Sequence, residues 1–233
     1  MNERPLLDVR RIGRTRYEDA HRFQEECVEA RIAGRTNDLL LLTEHEPVVT
    51  IGRGADRGTV AGVQVPVIEV ERGGEATYHG PGQLVAYPIR ALPEGRRDLH
   101  RYLRDLEEVV IRILAEFGVD GRRESGASGV WIGAQKVCSV GVAVRRWVAW
   151  HGFALNVHTD LAAFQTFQPC GLDPNVMTRL VDHADIPPGN FLVEVLAVKH
   201  VCDVFGYDLP PPVPPPSADD GDARFPKLPL LPS

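Results

Sequence analysis

The chain has 233 residues, 43% of them hydrophobic and 25% charged, with a net charge of −6. That composition supports one sizeable core and argues against general binding to nucleic acid. No apolar run approaches the roughly 18 residues of a membrane span, and the start MNERPLLDVRR lacks a signal-peptide core, so the expected location is the cytoplasm, with no membrane partner.

The first predicted helix follows Thr15, where Glu18 completes a capping-box pattern. Ala20, Phe23, Cys27 and Ala30 recur at helical spacing, and Gly34 can close the helix. DLLLLTE (38–44) and PVVTIG (47–52) read as a strand pair around Pro47, and Pro66 makes VQVPVIEV (63–70) an edge strand. GQLVAYPI (82–89) is a further strand. A second helix starts near Asp98, with Leu99, Leu103, Leu106, Val110, Ile113 and Phe117 on one stripe before Gly118. GVWIG, QKVCSVGVAV and WVAWHGFALNV, within 129–157, read as a meander. A third helix follows Asn190, with Phe191, Val195, Val198, Cys202 and Phe205 on its stripe and Gly206 at its end. Helices and strands are mixed without a regular βαβ repeat, so the fold class is α+β, a mixed sheet core flanked by helices. The folded domain is placed at 1–209. From Pro210 the last 24 residues hold nine prolines and read as an extended or disordered tail.

Arginines cluster at 10, 11, 14 and 16, at 96, 97, 101 and 104, at 122 and 123, and at 145 and 146. Such runs are ordinarily solvated surface; the sharper reading is a docking patch for an acidic protein.

The four cysteines, at 27, 138, 170 and 202, are far apart and form no CxxC, so free thiols are expected rather than disulfides or a zinc site. Cys27 and Cys202 sit on apolar helix stripes and read as core. Strand alternation puts Cys138 on one face with Lys136, Val140 and Val142, which leaves packing and reactivity both open. Cys170 lies on no stripe. In QPCG it follows Pro169, which fixes the chain, and precedes Gly171, which allows unusual backbone angles. A thiol on such a turn, beside backbone N–H groups, suits nucleophilic attack and an oxyanion site; a packed turn residue is the plain alternative. The glycine-rich stretch 71–88 would let a ligand lie against backbone, with polar contacts from Arg72, Thr77, His79 and Gln83, or is simply a pair of tight turns. It fits neither a P-loop nor a dinucleotide fingerprint. Gly141 and Gly152 inside strands point to a closely approached backbone, and His151 reads as a hydrogen-bonded structural histidine.

Three ordered segments, RGGEATYHGPGQLVAYP, GVWIGAQKVCSVGVAVRRWVAWHGFALNV and FQPCG, together resemble the lipoyl(octanoyl) transferases, across most of residues 15–185. The resemblance implies octanoyl transfer from acyl carrier protein to a lysine, through a cysteine thioester, in lipoate biosynthesis. It implies Cys170 as the nucleophile and Lys136 as its partner. It also implies three acyl-substrate-binding segments: Arg72, Gly73, Gly74, Glu75, Ala76, Thr77, Tyr78 and His79; Ser139, Val140 and Gly141; and Gly152, Phe153 and Ala154. The fold would be similar to the catalytic domain of lipoate and biotin protein ligases. The acceptors would be the lipoyl domains of 2-oxoacid dehydrogenase complexes and the glycine cleavage H protein. No cofactor, ATP or metal is expected, and a monomer is the default. Competing readings are an ATP-dependent lipoate or biotin ligase, a Cys-His thioesterase using Cys170 with His79 or His151, and a non-catalytic acyl- or protein-binding module. The proline-rich tail lies outside the resemblance.

Overall fold

The computed structural model describes residues 4–213 except residue 61, together with Phe225; for residues 57 and 170 it describes the backbone but not the side chain. Strand β1 (Asp8–Thr15) leads into helix α1 (Tyr17–Ile32), then β2 (Leu39–His45), β3 (Val48–Ile51), β4 (Val67–Glu69), β5 (Ala76–His79) and β6 (Gln83–Ala91). Helix α2 (Leu99–Ala115) precedes β7 (Gly121–Glu124), β8 (Ala127–Ile132), β9 (Gln135–Arg145) and β10 (Val148–Asn156); short turns then lead to α3 (Asn190–Phe205).

A seven-stranded sheet has the order β1-β2-β6-β10-β9-β8-β7, and a three-stranded sheet has the order β4-β3-β5. In the large sheet only β1 and β2 run parallel. Alternation along its strands sorts side chains onto two faces. Leu40 and Leu42 of β2, Leu84 and Ala86 of β6, and Phe153 and Leu155 of β10 pack with α2 and α3. Leu39 and Leu41, Val85 and Tyr87, and Trp150 and Ala154 face the other way, toward α1. The small sheet builds a separate apolar cluster from Val49, Ala76, Tyr78, Phe164, Phe167 and Met177.

Several expectations hold. β8, β9 and β10 form the meander, and β4 is an edge strand. Asp98 caps α2 by accepting the Arg101 N–H, and Gly206 ends α3 in the left-handed conformation. Others do not. β2 and β3 belong to different sheets rather than to one pair, because Pro47 sits where the chain leaves the large sheet. Thr15 does not cap α1: it ends β1, and its hydroxyl lies 3.1 Å from that of Thr43. The α3 stripe is rotated. Val193, Leu196, Ala197 and Val201 are buried, while Phe191 and Val195 are 54% and 40% exposed. FLVEVLAV is apolar on nearly every side, so periodicity alone does not choose its inward face.

Most arginines in the predicted clusters pair with the chain's own carboxylates: Arg11 with Glu194, Arg123 with Glu108, and Arg145 with Glu29. Residues 210–213 carry no helix or strand. The rest of the expected tail lies outside the described residues, apart from Phe225, whose ring meets Phe23 of α1 edge-on at 5.3 Å. Among the described residues no helix is long and apolar enough to cross a membrane.

Candidate active site

A cavity of about 300 Å³ is walled by the α1-facing side of the large sheet, by β5, and by the Arg72–Glu75 loop. That volume is at the lower end of ordinary small-ligand pockets. β5 shows how local structure selects the lining. Thr77 and His79 point into the cavity, while Ala76 and Tyr78, one residue out of phase, pack against the Phe164 and Phe167 cluster. On the opposite wall Gly141 and Gly152 are register partners on β9 and β10. A Cβ on Gly141 would come 3.0 Å from Arg72 Cδ, so the absence of a side chain there lets the loop lie on the strand. The Gly73 N–H seals that approach by donating to the Val142 carbonyl at 3.0 Å.

Arg72 is 8% exposed. Its guanidinium donates to the carbonyls of Gly73, Glu75 and Thr50 and to the Thr50 hydroxyl. It therefore shapes the loop as well as lining the cavity.

Lys136 is 3% exposed and lines the cavity. Its Nζ lies 5.0 Å from the centre of the Trp131 ring, a cation–π contact. Its stem occupies the space over Gly129, where a Cβ would meet Lys136 Cε at 2.8 Å. The Gly129 N–H donates at 3.0 Å to the buried carboxylate of Glu107, which also pairs with Arg104 and Arg123. Cys138 is not among the cavity residues; it packs in the main core. The expected shared face with Lys136 fails for a local reason. β9 spends two residues between partners that are adjacent on β8, Val130↔Cys138 and Trp131↔Lys136, so Val137 is an extra residue. Such a bulge re-aims the side chains on either side of it.

Pro169–Gly171 forms a tight turn, and Gly171 adopts φ +68°. Only glycine takes this conformation without strain. A Cβ there would lie 3.7 Å from Glu75 Cγ, and the next residue, Leu172, lines the cavity. Farther on, the Thr178 N–H donates to the Lys136 carbonyl at 3.0 Å, and Met177 bridges Lys136. The segment carrying Cys170 thus spans from β5 to the strand of Lys136. The Cys170 side chain lies outside the described residues.

A polar network, of which the sequence had pointed to Arg72, Tyr78, His79 and Gln83, lines and backs the cavity. Gln83 donates to Asn156 Oδ1 at 2.9 Å and to the Tyr78 carbonyl, so its Oε1 accepts from His79 Nδ1 at 2.8 Å. His79 Nε2 then accepts from the Thr50 hydroxyl at 3.3 Å, which itself accepts from Arg72. This assigns a neutral His79 with its proton on Nδ1. Burial and the neighbouring His45 hold its pKa well below the usual histidine range. Burial likewise lowers His45, 2.7 Å from the Tyr87 hydroxyl, to about 4. Tyr17 and Tyr87 also line the cavity, and burial raises both phenols. Their sequence signal was weak: Tyr17 stands among charged residues in RTRYED, and Tyr87 is a single tyrosine in the apolar run QLVAYPI. Gly126, Ala127 and Ser128, on the β7–β8 hairpin, complete the mouth and carried no signal.

Of the other expected substrate contacts, Gly74, Glu75, Ser139, Val140, Phe153 and Ala154 line the cavity, and Gly73 lies just behind it.

Residues 16–201 match the family described as the lipoyl protein ligase A/B catalytic domain. An octanoyltransferase of Geobacter metallireducens is 51% identical over 172 residues, covering 74% of this chain and 81% of its own. One from Gloeobacter violaceus is 52% identical over 163 residues, covering 69% and 73%. Among solved structures, a chain from a bi-partite lipoate protein ligase and its E2 lipoyl domain from Thermoplasma acidophilum superposes with a TM-score of 0.66 at 18% identity, covering 96% of this chain and 90% of that one. The biotin protein ligase of Aquifex aeolicus gives 0.53 at 13%, covering 86% and 69%. The ligases share the fold; the closer sequence relatives share much more of the chain's identity, and on that ground this chain belongs to the octanoyltransferase family within the lipoyl protein ligase A/B catalytic-domain group.

Proposed function

We propose that the chain moves an octanoyl group from acyl carrier protein to a lysine of lipoyl domains, those of 2-oxoacid dehydrogenase complexes and of the glycine cleavage H protein, through a thioester on Cys170. The observation that carries this reading is a lysine, Lys136, buried in the cavity wall and hydrogen-bonded through its backbone to the segment that follows Cys170. The family membership supports it independently.

The chemistry is balanced without ATP. The Cys170 thiolate attacks the donor thioester carbonyl, a new C–S bond forms, and the carrier's thiol departs with a proton. The acceptor amine then attacks the enzyme thioester, an amide forms, and the Cys170 thiolate leaves. The first step exchanges like for like and the second is downhill. An ordinary cysteine has a pKa of about 8.5 and a lysine about 10.4. An ammonium placed beside a thiol favours the thiolate. The lysine then accepts the proton that the incoming amine loses. Burying about seven methylenes contributes roughly 5–6 kcal/mol before ordering costs.

Transfer to acceptor domain from octanoyl carrier protein, with ATP absent, is the deciding assay; no amide product overturns the transferase reading in favour of an ATP-dependent ligase. Cys170→Ser is expected to abolish the covalent acyl-enzyme seen by mass spectrometry. Lys136→Ala is expected to raise the apparent pKa of Cys170 alkylation, and an unchanged profile removes Lys136 from its role. The Cys-His thioesterase reading through His79 is weaker, because both ring nitrogens of His79 already have partners.

A further inference from the structure

At the edge of the cavity, which His151 lines, three potential ligands converge from three different elements. His21 is on α1, Glu71 on the loop after β4, and His151 on β10. Their donor atoms all lie within 4.8 Å of one another. His21 Nε2 is 3.0 Å from Glu71 Oε2, and His151 Nε2 is 3.8 Å from the same oxygen, too far for a hydrogen bond. His151 is 2% exposed, and its Nε2 has no hydrogen-bond partner. A buried polar atom without a partner is uncommon and needs a reason.

The backbone is bent to put it there. β10 pairs with β6 on both sides of His151, but no pairing is formed at 150–152, opposite Pro88, which has no N–H to donate. His151 takes φ +56°, its N–H turns to Gln24 Oε1, and its ring stacks on that of its neighbour Trp150 at 4.3 Å. In a regular strand those two rings would point to opposite faces. The kink brings His151 to the α1 side, where His21 and Glu71 are.

We propose that His21, Glu71 and His151 form a binding site for a divalent transition-metal ion of the zinc type. Two imidazoles and one carboxylate are a zinc donor set, with bonds of about 2.0–2.2 Å and a fourth position open to water. Tetrahedral donors around such an ion sit about 3.3 Å apart, so the three side chains need move inward by roughly 1 Å at most. His21 Nδ1 lies 3.9 Å from a Glu25 carboxylate oxygen, too far for a hydrogen bond but close enough to favour a cation at the site. Both imidazole donors set the preference for zinc over magnesium or calcium, which take oxygen ligands. Arg72 and Arg145 stand nearby and oppose a cation, while Glu71 and Glu25 favour it. The site ties α1, the substrate loop and β10 together. It does not depend on the acyl-transfer reading, which routes no step through a metal.

The test uses the full chain, stripped of metal, titrated with zinc by calorimetry and with cobalt by absorption spectroscopy. The expected result is one ion per chain, with affinity lowered at least tenfold by His21→Gln and by Glu71→Gln. These two side chains are partly exposed, and circular dichroism checks that each variant folds. Cobalt should give a spectrum of nitrogen and oxygen ligands without a thiolate charge-transfer band. Absence of stoichiometric binding, binding undiminished in both variants, or a thiolate band that Cys170→Ser removes would each overturn the proposal.

Discussion

Acidification should destabilise this fold well above the pH at which carboxylates titrate. His45 and His151 are buried and neutral, and burial lowers each pKa to about 4 from an ordinary 6.5. In the unfolded chain both protonate near 6.5, so below that pH the unfolded state binds more protons and stability falls with pH. The loss begins near pH 6.5 and levels off below about 4. Going from pH 7.5 to 5.0, each histidine contributes a loss of about 2 kcal/mol, and the pair about 4 kcal/mol. His79, lowered further, acts in the same direction. Asp105 and Glu194, whose carboxyls burial pushes up, oppose the effect near its acid end. For a chain of this size 4 kcal/mol corresponds to roughly 8–16 °C in Tm. Urea unfolding at half-unit steps from pH 7.5 to 5.0 measures it. His45→Gln should remove about one proton from the slope. A midpoint that stays constant from pH 7 to pH 5.5 would refute the assignment of these rings as buried and neutral.

Gly129→Ala combines φ +128° with a Cβ placed against Lys136 and the Cys138 carbonyl; it should cost about 1–3 kcal/mol and displace the lysine, read as a fall in transfer rate larger than the fall in Tm accounts for. Burial and nearby carboxylates push the Cys27 thiol up to about 12 and the Cys202 thiol up to about 11. Alkylation of the native protein at pH 8 should therefore leave both unmodified in mass mapping, and label at Cys27 before Cys170 would contradict the packing of α1.

The meander, the caps of α2 and α3 and the edge strand β4 were legible because each rests on local chemistry: alternation, an aspartate or glycine at a helix end, a proline in a strand. The lining glycines were legible for the same reason, since Gly141 and Gly152 interrupt otherwise ordinary strands. What escaped depends on contacts distant in sequence. β1 carries Arg10, Arg11 and Arg14, a run that reads as surface, but Ile12 is fully buried, and Arg11 and Arg14 pair with Glu194 and Glu44 far along the chain. The separation of Lys136 from Cys138 depends on one extra residue in β9, set by pairing with β8. His151 was read as a structural histidine. Its strained backbone follows from Pro88, 63 positions earlier, which no local pattern reveals.

The same long-range bonding ties the strand of Lys136 to the segment that follows Cys170, 34 positions away in sequence. Asn156 accepts from Gln83 and donates to the Thr178 carbonyl at 3.0 Å, while the Thr178 N–H donates to the Lys136 carbonyl. One residue, Thr178, therefore ties the segment after QPCG to β9 on one side and, through Asn156 and Gln83, to His79 on the other. Each of these groups is buried, so losing any one bond leaves its partner unsatisfied at about 1–3 kcal/mol. A network with that penalty at every link holds geometry better than apolar packing alone. The proposed transfer, in which Lys136 and Cys170 act together through two acyl transfers, calls for geometry held in that way. Asn156→Ala, which removes the bonds to Gln83 and to the Thr178 carbonyl, should lower the rate of acyl-enzyme formation more than it weakens binding of the octanoyl donor; an equal effect on both would reduce the network to a structural role.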